Sequence, residues 1–304
     1  MSSSTPRFLV YGHQGWIGQQ VTKLLKPYKE GEFLALGKAR IDDYEGVLRD
    51  IIQSKPTHII SLTGRTHGTI NGKEITTIDY LEQPGKLVEN IRDNLYGPWN
   101  LAKICDDLNL HLTYLGTGCI FEYDAQHPYG DEKTGFKPQS APNFFGSSYS
   151  IVKGFTDQMM KQYPRVLNIR IRMPITDDVS PRNFITKIVN YQKICSVPNS
   201  MTVLPELLPI MIDMAKQGKT GTVNLVNPGL ITHNEILQMY KDIVDPTFTW
   251  QNFTLEEQAK ILASGRSNNC LDTSDLQKEY PKVMSIHDSV RQTLHRMKAK
   301  MQKS

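Results

Sequence analysis

The sequence has no long hydrophobic run. No apolar stretch approaches the roughly 18 residues that a membrane helix requires, and the opening Met-Ser-Ser-Ser-Thr-Pro-Arg leads into a short apolar strand without a signal-type core. Neither secretion nor membrane anchoring is therefore expected. Cysteine is scarce: Cys105, Cys119, Cys195 and Cys270 lie far apart, with no C-x-x-C and no framework spacing. That excludes a disulfide scaffold and points to a reducing, cytoplasmic compartment. Neither sign of charge is in excess, since 35 Lys and Arg face 31 Asp and Glu for a net charge of +4. No Lys/Arg block stands out, so no nucleic-acid partner is expected. The eight histidines show no H-E-x-x-H or paired-ligand spacing, which argues against a metal site. Repeats and low-complexity segments are absent too.

What is present is a chain of 304 residues, 39% of them hydrophobic, enough for a large core. Phe8 to Tyr11 reads as a buried strand, and a Gly-rich turn then opens an amphipathic helix to about Leu25. Glu32 to Leu36 is a second strand, Val47 to Gln53 a helix, and His58 to Leu62 a third strand after Pro56. Asn94 to Leu108 has helical spacing and leads into the strand Leu110 to Leu115. Tyr149 to Gln162 is a further helix and Val166 to Ile171 a further strand. This alternation predicts an α/β fold, a Rossmann-type doubly wound parallel sheet. After Met173, prolines at 174, 181, 198, 205, 209 and 228 break the pattern. The expected division is a cofactor domain over 1–172 and a smaller C-terminal substrate-binding lobe over 173–304, with Val223 to Val226 a candidate to return to the sheet.

Gly12-His-Gln-Gly15-Trp-Ile-Gly18 falls between the first strand and its helix. Glycines there permit a tight turn and close approach of backbone to a pyrophosphate, which the helix N-terminus then faces. The spacing G-x-x-G-x-x-G is the form typical of extended short-chain dehydrogenases/reductases. NAD enzymes usually carry an acid at the end of the second strand, but here that end reads Leu36-Gly37-Lys38-Ala39-Arg40, and Glu32 lies at the wrong end of the strand. Lys38 and Arg40 suit a 2′-phosphate, so NADPH is favoured over NADH. Expected cofactor contacts are Gly12, Gln14, Gly15, Trp16, Ile17, Gly18, Lys38, Arg40, Leu62, Thr63, Gly64, Met173 and Pro174, with Tyr149 and Lys153.

Tyr149-Ser-Ile-Val-Lys153 puts a phenol and an ammonium one helical turn apart on one face. A neighbouring cation favours the phenolate and lowers a pKa that is otherwise near 10. Tyr149 can then protonate a carbonyl oxygen as hydride reaches the carbon. A second match, Tyr129-Gly-Asp-Glu-Lys133, follows Pro128 and contains Gly130, so it reads as a turn. Thr117, at the end of a strand, is where such reductases carry a hydroxyl donor for the same carbonyl.

These residues are familiar as a set. T-G-C-I-F-E-Y-D (117–124), P-N-F-F-G-S-S-Y-S-I-V-K (142–153), R-I-R-M-P-I (170–175), P-R-N-F-I-T-K-I (181–188), P-N-S-M-T-V-L (198–204), N-P-G-L-I-T-H-N-E-I-L (227–237) and R-S-N-N (266–269) closely resemble the epimerase/reductase half of plant rhamnose synthases. The resemblance runs from Phe8 to about Val290. Thr66 to Leu81 departs from it, as a longer, Thr-rich loop. It implies a bifunctional enzyme: 3,5-epimerisation of a UDP-4-keto-6-deoxy sugar, then NADPH reduction at carbon 4. It also implies epimerising roles for Cys119 and Lys187, which would act on protons acidified by the ketone. Read without it, Cys119 is a small buried hydrophobe and Lys187 a solvated helix residue. Asn143, Asn183 and Arg266 are candidates for substrate contacts. With no dehydratase half in the sequence, the keto sugar is expected from a separate 4,6-dehydratase. A homodimer through the helices bearing Asn94 and Tyr149 is expected by analogy with the fold. A reductase acting on an already epimerised sugar, and an NADP-binding regulatory subunit, are the competing readings. UDP against dTDP stays open.

Overall fold

The computed structural model describes residues 5–25 and 33–302. Contacts divide the chain into two compact units, each discontinuous in sequence. The first takes in the chain to Thr117, then Ser147–Arg170 and Pro209–Val223; the second takes in Gly118–Gly146, Ile171–Leu208 and the chain from Asn224.

The first unit is built on six strands and the helices between them. In chain order its elements are β1 (Arg7–Tyr11), α1 (Trp16–Leu25), β2 (Phe33–Leu36), α2 (Tyr44–Ser54), β3 (His58–Ser61), a hairpin of β4 (Gly68–Ile70) and β5 (Lys73–Ile75), α3 (Leu87–Ile91), a π-helical turn (Arg92–Tyr96), α4 (Gly97–Asp107), β6 (His111–Thr117), α5 (Ser148–Met160) and β7 (Val166–Ile171). The second unit contributes β8 (Pro174–Ile175), α6 (Phe184–Val189) and β9 (Thr202–Val203), after which α7 (Leu204–Lys216) and β10 (Gly221–Asn224) complete the sheet of the first. The second unit then ends in α8 (His233–Ile243), α9 (Leu255–Ala259), α10 (Ser274–Glu279) and α11 (Ile286–Met301).

The sheet order is β10-β7-β6-β3-β1-β2, and the β1/β2, β1/β3 and β3/β6 pairs are parallel. Strand order reverses direction between β1 and β3, the point where such sheets bind ligands beyond their carboxyl ends. Residues Phe8 to Tyr11 are buried, as a strand covered on both faces requires. The doubly wound reading therefore holds, and the strand expected near Val223 returns as β10 at the sheet edge. Glu32 lies outside the described residues.

Two elements differ from expectation. The helix foreseen from Asn94 begins at Leu87 and passes through the π-turn. Pro98 explains the irregularity: it has no N–H to offer the Asn94 carbonyl four residues back, and that carbonyl instead accepts from the Thr156 hydroxyl at 2.6 Å. The segment Thr66 to Leu81, expected as a loop, contains the β4–β5 hairpin. Asn71 and Gly72 at its tip take φ of 50° and 77°, the left-handed pair that a tight hairpin turn demands.

In the second unit, α6, α8 and α11 pack around Ile175, Ile185, Ile188, Ile236, Val290 and Leu294.

Candidate active site

The Gly-rich turn is confined from two directions. Gly12 has φ of +76°, and a Cβ there would lie 2.8 Å from the backbone of Leu62; a Cβ on Gly18 would lie 2.0 Å from the Gly12 carbonyl. Only glycine lets the end of β1, the start of α1 and the end of β3 approach so closely. The first turn of α1 carries no acid, so its unpaired N–H groups keep their attraction for an anion. The turn fits a dinucleotide pyrophosphate.

The loop after β2 is held from beneath. The Asp50 carboxylate accepts from the backbone N–H of Lys38 and Ala39 at 2.8 and 2.9 Å, and from the Tyr11 hydroxyl at 3.2 Å. Lys38 is exposed and makes no ion pair among the described residues. Arg40 pairs with Asp42 at 3.0 Å and Asp93 at 2.8 Å, so its charge is already partly answered within the chain.

The π-turn positions the segment after β3. Asn94 accepts from the Arg65 N–H at 3.0 Å and donates to the Arg65 carbonyl at 2.8 Å, closing the backbone just beyond Leu62, Thr63 and Gly64. Beside it, burial works against the charge of Asp93, yet hydrogen bonds from Arg92, Arg65 and Arg40 bring its carboxyl down to about 2. Neither Asn94 nor Asp50 was singled out from sequence. The available signal was Pro98 inside a helical pattern.

Tyr149 and Lys153 share α5, as their spacing predicts. Ser147 caps α5, its hydroxyl accepting from the Ser150 N–H at 3.0 Å. Tyr149 and Lys153 then fall four residues apart, both almost wholly buried, and Thr117 is buried at the end of β6. The Lys153 ammonium donates to the Tyr114 hydroxyl and lies 4.7 Å from the centre of that ring. The competing Tyr129 and Lys133 sit in a turn, with Gly130 at φ +75°.

In the second unit, half-buried Cys119 is carried on a segment fixed at both ends. Fully buried Arg172 donates to the Gly118 carbonyl at 3.1 Å; Asn269 donates to Gly118 at 3.0 Å and to the Phe121 carbonyl at 2.9 Å. Arg172 also donates to the Asn199 amide oxygen at 2.6 Å and the Ser267 carbonyl at 2.9 Å. These acceptors are all neutral. Burial pushes its guanidinium down, opposed by Cys119, Tyr123 and Cys270. Sequence reading passed over Arg172, although a charge within R-I-R-M-P-I was the visible sign.

Lys187 lies on α6. Burial first, then the charges of Arg182 and Arg266, push its ammonium below the ordinary lysine value. Arg266 is thereby brought within electrostatic reach of Lys187, while its guanidinium donates to the Ser264 carbonyl at 3.0 Å. Asn183 caps α6: its side-chain oxygen accepts from Ile185 and Thr176, and its amide donates to the carbonyls of Thr176 and Asp178. Asn143 binds the Glu122 backbone through both ends of its amide and donates to Asp124 at 2.8 Å. Both asparagines thus hold loops in this structure. Met173, just before Pro174, takes φ of +40°. A non-glycine residue there stores about 1–3 kcal/mol of strain, a feature no sequence pattern announced.

A Gly-rich strand-to-helix turn, a doubly wound sheet and a Tyr–Lys pair on one helix define a nucleotide-cofactor-dependent short-chain enzyme. The chain belongs to the NAD dependent epimerase/dehydratase family, whose pattern matches residues 8–180. It is similar to the L780 UDP-rhamnose synthase of Acanthamoeba polyphaga mimivirus, with 52% identity and a TM-score of 0.90 covering 96% of this chain and 99% of that one. It is 47% identical over 290 residues to a bifunctional dTDP-4-dehydrorhamnose 3,5-epimerase/dTDP-4-dehydrorhamnose reductase of Arabidopsis thaliana, covering 95% of this chain and 92% of the relative. Identity is 46% with an Arabidopsis thaliana trifunctional UDP-glucose 4,6-dehydratase/UDP-4-keto-6-deoxy-D-glucose 3,5-epimerase/UDP-4-keto-L-rhamnose-reductase, where the match spans 95% of this chain and 42% of that protein.

Proposed function

We propose that this chain is a bifunctional 3,5-epimerase and NADPH-dependent 4-reductase that converts UDP-4-keto-6-deoxy-D-glucose to UDP-L-rhamnose. The observation that carries the reading is the buried Tyr149–Lys153 pair on α5, together with 52% identity to a UDP-rhamnose synthase.

The ketone at carbon 4 acidifies the protons on carbons 3 and 5. Inversion needs one group to take a proton and another to return one to the opposite face. Cys119 as thiolate is the base and the Lys187 ammonium the acid, and the lowering of Lys187 by burial, Arg182 and Arg266 suits a proton donor working nearer neutrality. In the reduction, Tyr149 delivers its phenolic proton to oxygen 4, Thr117 donates a hydrogen bond to the same oxygen, and Lys153 favours the resulting phenolate. Bound NADPH supplies the hydride. Gly12, Gln14, Gly15, Trp16, Ile17 and Gly18 would hold its pyrophosphate, Leu62, Thr63, Gly64, Met173 and Pro174 would flank it, and Lys38 and Arg40 would take the 2′-phosphate. Arg266 remains the candidate for the sugar diphosphate, whereas Asn143 and Asn183 support loops.

The keto sugar comes from a separate 4,6-dehydratase, and the reaction belongs to the cytoplasm on the spacing of the four cysteines. Among the described residues no helix is long and apolar enough to cross a membrane. Leu87, Val88, Ile91, Tyr96 and Phe155, exposed on α3, the π-turn and α5, support pairing of two copies; a monomer mass in light scattering rejects it. The decisive assay mixes the protein with NADPH and UDP-4-keto-6-deoxyglucose and identifies the sugar by NMR. L-Rhamnose is expected, and an unchanged substrate or a D-series 6-deoxyhexose overturns the reading.

A further inference from the structure

Lys153 carries its charge inside the first unit. Its ammonium donates to the hydroxyl of Tyr114, and the ring of that tyrosine lies 4.7 Å away. Tyr114 is enclosed on β6, and burial, reinforced by Tyr149 and Asp157, pushes its phenol well above the ordinary value. It therefore stays a neutral phenol wherever the enzyme works. An interior ammonium must be compensated by something. A carboxylate would do so and cancel the charge that Tyr149 depends on. A phenol oxygen and the face of its ring compensate the ammonium and leave its charge intact.

The other charged groups around this point are already engaged. Asp157, one turn beyond Lys153 on α5, accepts from Arg170 at 2.8 and 2.7 Å and from Asn168 at 2.8 Å, with Lys161 at 3.8 Å. Glu82 receives the Ser148 N–H at 2.8 Å, at the start of α5. On the π-turn packed against α5, Asp93 is held by Arg40, Arg65 and Arg92. Tyr149 stands one helical turn before Lys153 on α5.

We propose that Tyr114 is a positioning residue for the reduction, a buried neutral acceptor that holds the Lys153 ammonium beneath Tyr149 without neutralising it. The proposal rests on the assignment of Tyr149 and Lys153 to the reducing step.

Tyr114→Phe keeps the ring and its volume and removes only the acceptor. The kcat for reduction should fall about tenfold, with KM for the sugar within about twofold, because one hydrogen bond to a charged group is lost from a step and not from sugar binding. The alkaline limb of the kcat profile should move to lower pH, since the ammonium loses a partner that favoured its charged form. Lysine side-chain 15N NMR of the protein without cofactor gives a second readout: the Lys153 ammonium signal, assigned by its loss in Lys153→Met, should titrate at lower pH in Tyr114→Phe. A folded variant with kcat, alkaline limb and ammonium titration all unmoved makes Tyr114 a packing residue. If the variant does not fold, the unmodified protein decides: a hydrogen-bonded Lys153 ammonium gives a slowly exchanging signal, and its absence overturns the proposal. Tyr149→Phe run in parallel separates the two failures. Retained reduction there defeats the assignment of the reducing step itself, whereas a dead Tyr149→Phe beside an unchanged Tyr114→Phe defeats only the role of Tyr114.

Discussion

The two units present their chemistry in opposite ways. In the first, Tyr149 and Lys153 are neighbours on one turn of α5, and a neutral phenol is the partner of the charge. In the second, Cys119 and Lys187 come from separate segments, and cations set their surroundings: buried Arg172 for the first, half-buried Arg182 and Arg266 for the second. One arrangement is written in local spacing, the other in long-range packing. The difference teaches where each can be damaged. The proposed reducing pair fails when one of its own side chains changes, whereas the proposed epimerising pair also depends on the cations around it.

The sharpest way to break the comparison is Tyr149→Phe. Losing a positioned proton donor should lower hydride transfer about a thousandfold, within the range for general acids, while NADPH binding by fluorescence changes little. Deuterium wash-in at carbons 3 and 5, the step proposed for Cys119 and Lys187, should continue. Substantial residual reduction would mean that another acid serves.

Cys119→Ala tests the other side and is the next largest effect. Wash-in of solvent deuterium at carbons 3 and 5, followed by NMR, should drop about a hundredfold or more. Thr117, Tyr149 and Lys153 are untouched, so slow reduction of the unepimerised ketone should yield a D-series 6-deoxyhexose. L-Rhamnose at a near-normal rate from this variant would reduce the thiol to packing, and the two units would no longer divide the work as described.

How far the sequence could be read follows the same division. The strand before Gly12, the turn of α5 that pairs Tyr149 with Lys153, and β7 were all visible because periodicity and i,i+4 spacing are local. The hairpin at Asn71-Gly72 carried its own turn signal and was passed over within a Thr-rich stretch. Tyr114 and Arg172 were not visible. A tyrosine in a strand reads as core, and an arginine gives no sign of whether a carboxylate or, as for Arg172, three neutral carbonyl-type oxygens and a hydroxyl will meet it. Asn183 is ambiguous for a related reason: an asparagine before a helix is as good a cap as a ligand, and here its side chain caps α6. The roles of Cys119 and Lys187 came from resemblance alone, since nothing in their spacing points to chemistry.

Cofactor choice is a smaller effect and belongs to the first unit. Lys38 and Arg40 with no acid at the end of β2 should favour NADPH over NADH by at least about tenfold, about 1.4 kcal/mol. Replacing both by Ala should remove most of that preference in kcat/KM. Because Arg40 already pairs with Asp42 and Asp93, Lys38→Ala alone should cost more than Arg40→Ala alone. Equal rates with both cofactors in the unmodified enzyme would count against the assignment, and the reverse ranking would show that Arg40 leaves its partners when NADPH binds.

The smallest effect is on stability, and it separates the units by sign. Lys187 is held below the ordinary lysine value by burial and by two like charges, so the folded state releases its proton more readily than the unfolded chain. Stability therefore rises with pH between the folded and unfolded values. Below the folded value the cost of enclosing the charge is fully present, and it fades as pH climbs towards the ordinary lysine value. Lys187→Met keeps the length and apolar stem of the side chain and removes the charge. That variant should melt higher than the unmodified protein at neutral pH, with the gain shrinking as pH rises, while its epimerisation is lost. In the first unit Lys153→Met should go the other way, because the phenol of Tyr114 loses its donor and the ring its cation. Calorimetry at a series of pH values measures both. A Lys187→Met protein that melts lower at neutral pH, or whose difference from the unmodified protein is flat with pH, would mean that the Lys187 ammonium is well solvated or paired, and the contrast between a compensated and an uncompensated cation would collapse.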